Sequence, residues 1–187
     1  LCDQVDAIML ESVDGRPHLE QARPVIAKGI PLFIDKPVAG SLEDALEIFR
    51  LAKDKDVPIF SSSSYRFYPS LTELAESKIG EIRAAISYGP CHLEAHHPDL
   101  YWYGVHPTEA LFTILGTGCK QVSRVATKDT DIVTGLWTKG RTGVLYGLRT
   151  KSTPHKVIAF GANGVTEQGS GGGYAPLVEQ IMTFFKT

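Results

Sequence analysis

Short apolar runs alternate with amphipathic stretches along the first third of the chain, and this alternation constrains the fold more than any other sequence feature. Val5–Leu10, Ile30–Ile34 and Val57–Phe60 are apolar runs typical of strands buried on both faces. The stretches between them, His18–Lys28 and Ser41–Ala52, repeat apolar residues at helical spacing. Strands and helices that alternate in this way form parallel βαβ units. We therefore predict a parallel sheet with flanking helices at the start of the chain.

The remainder of the chain has a different pattern, in which strands follow one another with little helix between them. Five strands are predicted there: Ala84–Tyr88, Gln121–Thr127, Asp131–Thr138, Gly143–Leu148 and His155–Phe160. This succession indicates an antiparallel sheet, with helices at Pro107–Leu115 and Tyr174–Phe185. We predict an α/β domain at residues 1–64, followed by an α+β domain with an open, mostly antiparallel sheet at residues 65–187.

Composition excludes several classes of protein. The chain has 187 residues, of which 43% are hydrophobic and 21% charged, and its formal net charge is −2. This composition is typical of a globular protein and lacks the excess of basic residues that binds nucleic acid. No apolar run approaches the roughly 20 residues that a membrane-spanning helix needs. We therefore expect small molecules or proteins as partners, with no nucleic acid and no membrane.

The three cysteines, Cys2, Cys91 and Cys119, are widely spaced and form no CxxC pair. They predict neither a disulfide framework nor a thiolate zinc site. Unpaired cysteines suit the reducing cytoplasm, which is the location we expect. Because the chain does not begin with Met, we also expect its natural beginning to be missing, so export stays open.

A lysine beside a carboxylate closes the second apolar run, in the sequence Asp35-Lys36-Pro37. Ligands of parallel sheets bind at the carboxyl ends of the strands, so Lys36 would stand at the rim of a cleft. There its ammonium could polarise or protonate a substrate oxygen. A solvated charge pair before a turn proline explains the same residues, and this alternative stays open.

The stretch from Tyr101 to Pro107, with the sequence YWYGVHP, is the densest cluster of aromatic side chains in the chain. It is typical of a pocket wall, and it places His106 near the start of the predicted helix. Glu109 lies three residues later, on the same helical face. The alternative is a partly buried aromatic corner with a hydrogen-bonded histidine.

Possible metal ligands gather in the loop before this aromatic cluster: Cys91, His92, His96, His97 and Asp99. None of them shows the spacing of a helical His pair or of paired cysteines, so we expect turn residues and no metal. The chain has no GxSxG nucleophile elbow and no GxxxxGK[ST] phosphate loop. The loop Gln168–Gly173 is rich in glycine and predicts a flexible connection.

The ordered series VDAIML, FIDKP, SSSSYRFYP, IGEI and YGVHPTEALFTILGTG resembles the Gfo/Idh/MocA family of NAD(P)-dependent oxidoreductases. The resemblance extends from residue 5 to the end of the chain. It implies the second half of a Rossmann-type parallel sheet, followed by a domain with an open, largely antiparallel sheet. It also implies a fragment, because the family's glycine-rich first turn and its C-terminal end are missing.

The resemblance assigns roles to particular residues. Lys36, in the position of the family's Glu-Lys-Pro motif, and His106 would be the catalytic residues. The cofactor would lie near Ser12, Val13, Asp14, His18, Asp35, Lys36, Pro37 and Arg66. The substrate would contact Tyr101, Trp102 and Tyr103, which offer stacking surface for a sugar ring, and Glu109, which would orient His106.

Two residues depart from the family pattern. Asp35 replaces a glutamate, and Trp102 stands four residues before His106, where many members carry an aspartate. Asp99 could replace that carboxylate, or Lys36 and His106 could act without it, or the chemistry could be altered. The sequence leaves these three possibilities open.

The function implied by the resemblance is hydride transfer between NAD or NADP and a carbohydrate or polyol. Glycoside cleavage through transient oxidation, or sugar epimerisation with retained cofactor, would use the same fold. The alternative from another class is a non-catalytic sugar-binding or assembly subunit. A homo-oligomer, dimer or tetramer, would form through the open sheet.

Overall fold

The computed structural model describes residues 1–75, 78–169 and 171–186, and the chain divides into two compact units. Unit 1 comprises Leu1–Ser63, Glu94–Trp102 and Leu177–Thr187, and unit 2 comprises Ser64–Leu93 and Tyr103–Pro176. The first segment of unit 1 ends beside the boundary predicted after residue 64. Two later segments that we placed in the second domain belong to unit 1 instead. As functional domains, residues 1–64 and 65–187 stay a prediction.

Unit 1 contains the predicted parallel sheet. Its elements are β1 (Ile8–Leu10), α1 (His18–Ala27), β2 (Leu32–Asp35), α2 (Leu42–Asp54) and β3 (Ile59–Ser62). The strands are parallel in the order β1-β2-β3. Strand β1 is three residues shorter than predicted, and the chain before it begins with a turn from Leu1 to Gln4 that is closed by a backbone hydrogen bond.

Burial explains why the strands of unit 1 appear as continuous apolar runs. Leu32, Phe33 and Ile34 of β2 are all buried, although successive side chains point to opposite faces. Ile26 of α1 and Ile48 of α2 belong to the same core as Leu32 and Ile34. The predicted start of α2 is confirmed, since the Ser41 hydroxyl accepts a hydrogen bond from the amide of Asp44 at 3.0 Å.

Unit 2 is built on a six-stranded sheet. Its elements are α3 (Pro69–Ala75), β4 (Ile82–Pro90), α4 (Val105–Leu115), β5 (Cys119–Ala126), β6 (Thr130–Trp137), β7 (Thr142–Leu148), β8 (Lys156–Gly161) and β9 (Val165–Gly169). The order is β5-β6-β7-β4-β8-β9, and every pair is antiparallel except β4 with β7. The prediction of a mostly antiparallel sheet is confirmed. The final helix is α5 (Ala175–Phe184).

The sequence prediction is wrong at the last strand of this sheet. The loop predicted from Gln168 begins too early, because β9 extends to Gly169 and pairs with β8. Strand β9 is short and polar, and it follows a tight turn, so its side chains give no apolar alternation. Ser170, in the predicted flexible connection, lies outside the described residues.

The two faces of the unit 2 sheet differ in character. Helix α4 packs on one face, where Leu111 and Leu115 share a core with Ala85 and Leu145. The other face presents exposed apolar side chains, among them Val125, Leu136, Tyr146 and Val165. Among the described residues, no helix is long and apolar enough to cross a membrane.

Candidate active site

In unit 1, charged side chains meet where β1 and β2 end. The Lys36 ammonium lies 3.8 Å from the Asp35 carboxylate, and these side chains are only 20% and 26% exposed. Glu11 follows β1 directly, beside the end of β2, because Leu10 pairs with Ile34. Desolvation and the nearby charge of Asp35 raise the pKa of Glu11, while Lys36 opposes this shift. Three charged side chains therefore lie together at this edge of the sheet.

A close contact between backbones brings the loop after β1 against the Lys36–Pro37 turn. A Cβ atom on Gly15 would lie 2.8 Å from Cγ of Pro37 and 2.8 Å from the carbonyl carbon of Ala39. Only glycine fits at this point without displacing its neighbours. The bond between Lys36 and Pro37 is a cis peptide. The predicted cofactor residues Ser12, Val13 and Asp14 belong to the same loop as Gly15.

Two side chains support the loop after β1. His18 is fully buried, and its Nε2 donates to the carbonyl of Ser12 at 2.8 Å. Asp14 forms an ion pair with Arg16, and hydrogen bonds from the Arg16 side chain and amide lower the pKa of Asp14 to about 2. The buried His18 ring supports the backbone of this loop, and its predicted place near the cofactor stays a prediction.

The segment Glu94–Trp102 adds an aromatic side chain to the Lys36 region of unit 1. The Lys36 ammonium lies 5.5 Å from the ring centroid of Trp102, within the range of a cation–π contact. The Trp102 ring lies 4.4 Å from the ring of His97. Tyr101 precedes Trp102 and is half-buried, and Asp99 has a left-handed φ of 41°.

In unit 2, His106 lies in the first turn of α4 among aromatic rings. Its ring is 5.5 Å from that of Tyr103 and 5.6 Å from that of His155, and the His155 ring is 5.0 Å from that of Tyr65. Burial lowers the pKa of His155, so this neighbour of His106 is neutral at physiological pH. His106 therefore stands against an uncharged aromatic wall.

Glu109 has a partner in unit 2 that the sequence did not indicate. Nε of Arg66 donates to Glu109 at 3.0 Å, and the Glu109 side chain is only 17% exposed. We predicted that Arg66 approaches the cofactor and that Glu109 orients His106, and both roles stay predictions. The pair joins the turn before α3 to the middle of α4.

The structure divides the predicted site residues between the two units. Unit 1 holds Ser12, Val13, Asp14, His18, Asp35, Lys36, Pro37, Tyr101 and Trp102. Unit 2 holds Arg66, Tyr103, His106 and Glu109. Within the described residues, no group of three or more His, Cys, Asp or Glu side chains is arranged to hold a metal ion.

The chain resembles known proteins in sequence and in structure. No protein-family model matches the chain. Over 124 residues it is 26% identical to D-xylose 1-dehydrogenase (NADP(+)) 2 of Haloferax volcanii, a match that covers 65% of this chain and 37% of that protein. GenD2 from gentamicin A biosynthesis, solved in complex with NAD, superposes with a TM-score of 0.79 at 18% identity, over 92% of this chain and 57% of that one.

A third known protein also superposes on the chain. UDP-N-acetylglucosamine 3-dehydrogenase GnnA of Acidithiobacillus ferrooxidans superposes with a TM-score of 0.79 at 15% identity, over 99% of this chain and 70% of that one. The chain has the fold of Gfo/Idh/MocA-type dehydrogenases. This finding confirms the predicted fold class. The chain spans about a third of the xylose dehydrogenase and just over half of GenD2.

Three residues that the sequence did not assign to the site lie beside predicted site residues. Glu11 adjoins Asp35, His155 adjoins His106, and His97 adjoins Trp102. The only sequence signal for Glu11 was its position directly after a strand. His97 was interpreted as a turn residue, and nothing near His155 in the sequence indicated its histidine neighbour.

Proposed function

We propose that this chain belongs to the Gfo/Idh/MocA family and forms part of an NAD(P)-dependent oxidoreductase acting on a carbohydrate or polyol. The observation that carries the proposal is the placement of Lys36. It stands at the carboxyl end of β2, beside Asp35 and Trp102, in a fold whose solved examples include an NAD complex. The carboxyl edge of a parallel sheet is where dinucleotides bind in such folds.

The residues at this edge suit a nicotinamide dinucleotide, NAD or NADP. The loop after β1 meets the Lys36–Pro37 turn at Gly15, and Lys36 supplies three N–H donors. When bound, the nicotinamide would accept or donate the hydride. The chain's own residues would bind and orient the reactants.

Lys36 and His106 are proposed to handle the proton of the substrate hydroxyl. An ammonium such as that of Lys36 can donate a hydrogen bond to the hydroxyl oxygen and stabilise negative charge on it. An imidazole such as that of His106 can take up the proton as the alcohol is oxidised. Tyr101, Trp102 and Tyr103 would offer stacking surface for the sugar ring.

Titration of the full-length protein with NADH and NADPH, followed by a screen of sugars and polyols, tests the activity. With a substrate found in this screen, Lys36→Met should lower kcat by about 10²–10⁴-fold, as expected for loss of a proton-handling group. Its dinucleotide Kd should change much less than kcat, because the other predicted cofactor residues stay in place. Lys53→Met, in the last turn of α2, is the matched control and should change neither value. Unchanged turnover in Lys36→Met would refute the role of Lys36.

A second candidate function is a sugar-binding or assembly subunit without hydride chemistry. Trp102, in place of the aspartate that the family pattern implies, favours this candidate. Sugar binding by a folded protein that binds neither NADH nor NADPH would support it and refute the oxidoreductase. Glycoside cleavage and sugar epimerisation would instead retain dinucleotide binding, and they are distinguished by product analysis.

We also propose that the open face of the unit 2 sheet forms a homo-oligomer, a dimer or tetramer. Val125, Leu136, Tyr146 and Val165 leave apolar surface exposed on this face. An open sheet with an apolar face needs a cover, and a second copy provides one by symmetry.

A further inference from the structure

His97 is bound on both of its ring nitrogens within unit 1. Nδ1 lies 3.0 Å from a carboxylate oxygen of Glu94, and Nε2 lies 3.1 Å from the carbonyl oxygen of Val13. The side chain is only 6% exposed. The imidazole therefore joins the segment Glu94–Trp102 to the loop after β1.

These two partners determine the protonation state of His97. A carbonyl oxygen only accepts hydrogen bonds, and so does an ionised carboxylate. Hydrogen bonds from His97 and His96 lower the pKa of Glu94 to about 2, so Glu94 is ionised. Both nitrogens of His97 must then donate, and only the imidazolium carries an N–H on each nitrogen.

The charges around His97 favour the same state. Burial opposes its charge, but the hydrogen bonds with Glu94 and Val13, together with the nearby Asp14, raise the pKa of His97 above its ordinary value. Arg16 is paired with Asp14 and close to Glu94. It is the positive charge in this group that opposes protonation of His97. Deprotonation of His97 would remove one of its two hydrogen bonds.

The His97 ring also contacts the side chain that covers Lys36. Trp102 lies 4.4 Å from the His97 ring, and the Lys36 ammonium lies 5.5 Å from the Trp102 centroid. The indole is thus in contact with an imidazole that two hydrogen bonds hold in place. In the family pattern the position of Trp102 carries a carboxylate, which would accept a charge-assisted hydrogen bond from a lysine.

We propose that His97 is a positioning residue for Lys36: as an imidazolium it fastens Glu94–Trp102 to the loop after β1, and it thereby fixes the Trp102 indole against the Lys36 ammonium. The consequence for catalysis rests on the proposed function. The arrangement itself does not. His97 touches neither the expected substrate nor Lys36 directly and acts through Trp102.

Fluorescence of the full-length protein tests the arrangement without any cofactor. A protonated imidazole quenches an indole that it contacts, so the Trp102 emission should rise as His97 loses its proton. The Trp102 signal is obtained by subtracting the emission of Trp102→Phe. We expect a single transition between pH 5.5 and 9, with a midpoint above about 6.5, the usual histidine value.

Two variants and one control sharpen this measurement. His97→Gln should abolish the transition, and Glu94→Gln should lower its midpoint by about one pH unit, since the carboxylate charge that favours the imidazolium is lost. His96→Gln is the matched control, because His96 also bonds Glu94 but its side chain is mostly exposed. His96→Gln should keep the transition. A pH-independent Trp102 signal, or one unchanged in His97→Gln, would refute the arrangement.

Turnover tests the consequence for Lys36. At saturating dinucleotide, we expect His97→Gln to lower kcat at least tenfold and to remove an alkaline decline of kcat that follows the fluorescence midpoint. Trp102→Phe should retain more activity than Trp102→Ala, because a phenyl ring preserves the aromatic contact. If wild type shows the fluorescence transition but His97→Gln has the same kcat as wild type, the positioning role is refuted. Absence of turnover in wild type would refute the proposed function and leave the fluorescence result standing.

Discussion

The missing side chain at Gly15 sets the distance between the loop after β1 and the Lys36–Pro37 turn. Gly15 is buried, and its Cα hydrogens face atoms of Pro37 and Ala39. Two loops that carry most of the unit 1 site residues are therefore in direct backbone contact. At this scale a single methyl group is large compared with the available space.

We expect Gly15→Ala to push the two loops apart. The new methyl group would lie 2.8 Å from Pro37 and Ala39, and overpacking of this kind costs about 1–3 kcal/mol. The denaturation midpoint should fall, and dinucleotide affinity should fall with it. Gly164→Ala is the matched control, since its methyl group would meet only Ile79, at 3.7 Å. Equal midpoints for the two variants would contradict the close approach.

At the scale of elements, β5 and β6 are joined to the end of β7 through one buried carboxylate. Asp131 of β6 is fully buried and accepts hydrogen bonds from Arg124 at 2.6 Å and from Arg149 at 2.5 Å. Arg149 also donates to the carbonyls of Thr127 and Lys128, in the turn between β5 and β6. The charge of Asp131 thus organises three strands and a turn.

Removing the charge of Asp131 should destabilise the sheet at neutral pH. Asp131→Asn leaves two arginines without their carboxylate and should cost about 3 kcal/mol in urea unfolding at pH 7. Burial would raise the pKa of Asp131, but the arginine hydrogen bonds outweigh it and the pKa is lowered. A lowered folded-state pKa stabilises the fold above the usual value of about 3.9, and this stabilisation is lost as pH falls through the folded-state value.

The wild type should therefore lose stability below about pH 4 more steeply than Asp131→Asn. Lys156→Gln, which breaks an exposed pair with Glu167, is the control and should change the midpoint little. Parallel acid profiles for wild type and Asp131→Asn would show that Asp131 does not carry this dependence.

Elements differ in how far their sequences predict them. β2 and α2 were predicted well, since Leu32–Ile34 are buried on both faces and Ser41 is an N-cap, both of which are local properties. β9 was missed because its pairing with β8 determines it, not its own composition. Contacts such as those of His97 with Val13 join residues far apart in sequence. No local pattern of residues encodes such a contact.

At the scale of the whole molecule, the sequence defined the order of the two kinds of sheet but not the segments that group with unit 1. The ring of Phe184 in α5 lies 5.5 Å from that of Phe60 in β3, so the end of the chain packs into the first unit. The apolar pattern of α5 indicates that it is buried, but it does not indicate against what. The apolar residues on the open face of the unit 2 sheet likewise do not indicate what covers them.

We expect the open face to hold the copies of an oligomer together. A Val125→Glu and Tyr146→Glu double variant would place charges on this face and should convert the oligomer to monomer in light scattering after size exclusion. Leu46→Glu, at an apolar position on α2 about as exposed as Val125, is the control and should leave the mass unchanged. A monomeric wild type, or an unchanged mass in the double variant, would contradict the proposed interface.

The parallel pairing of β4 with β7 has a consequence for how unit 2 folds. Strands β5, β6 and β7 follow one another as antiparallel neighbours, so their pairing closes only short loops. Strand β4 precedes them and joins β7 only after α4 and two strands have been traversed, as the pairing of Tyr88 with Tyr146 shows. Because closing a long loop costs more entropy than closing a short one, we expect the β5–β7 meander to form before β4 joins it.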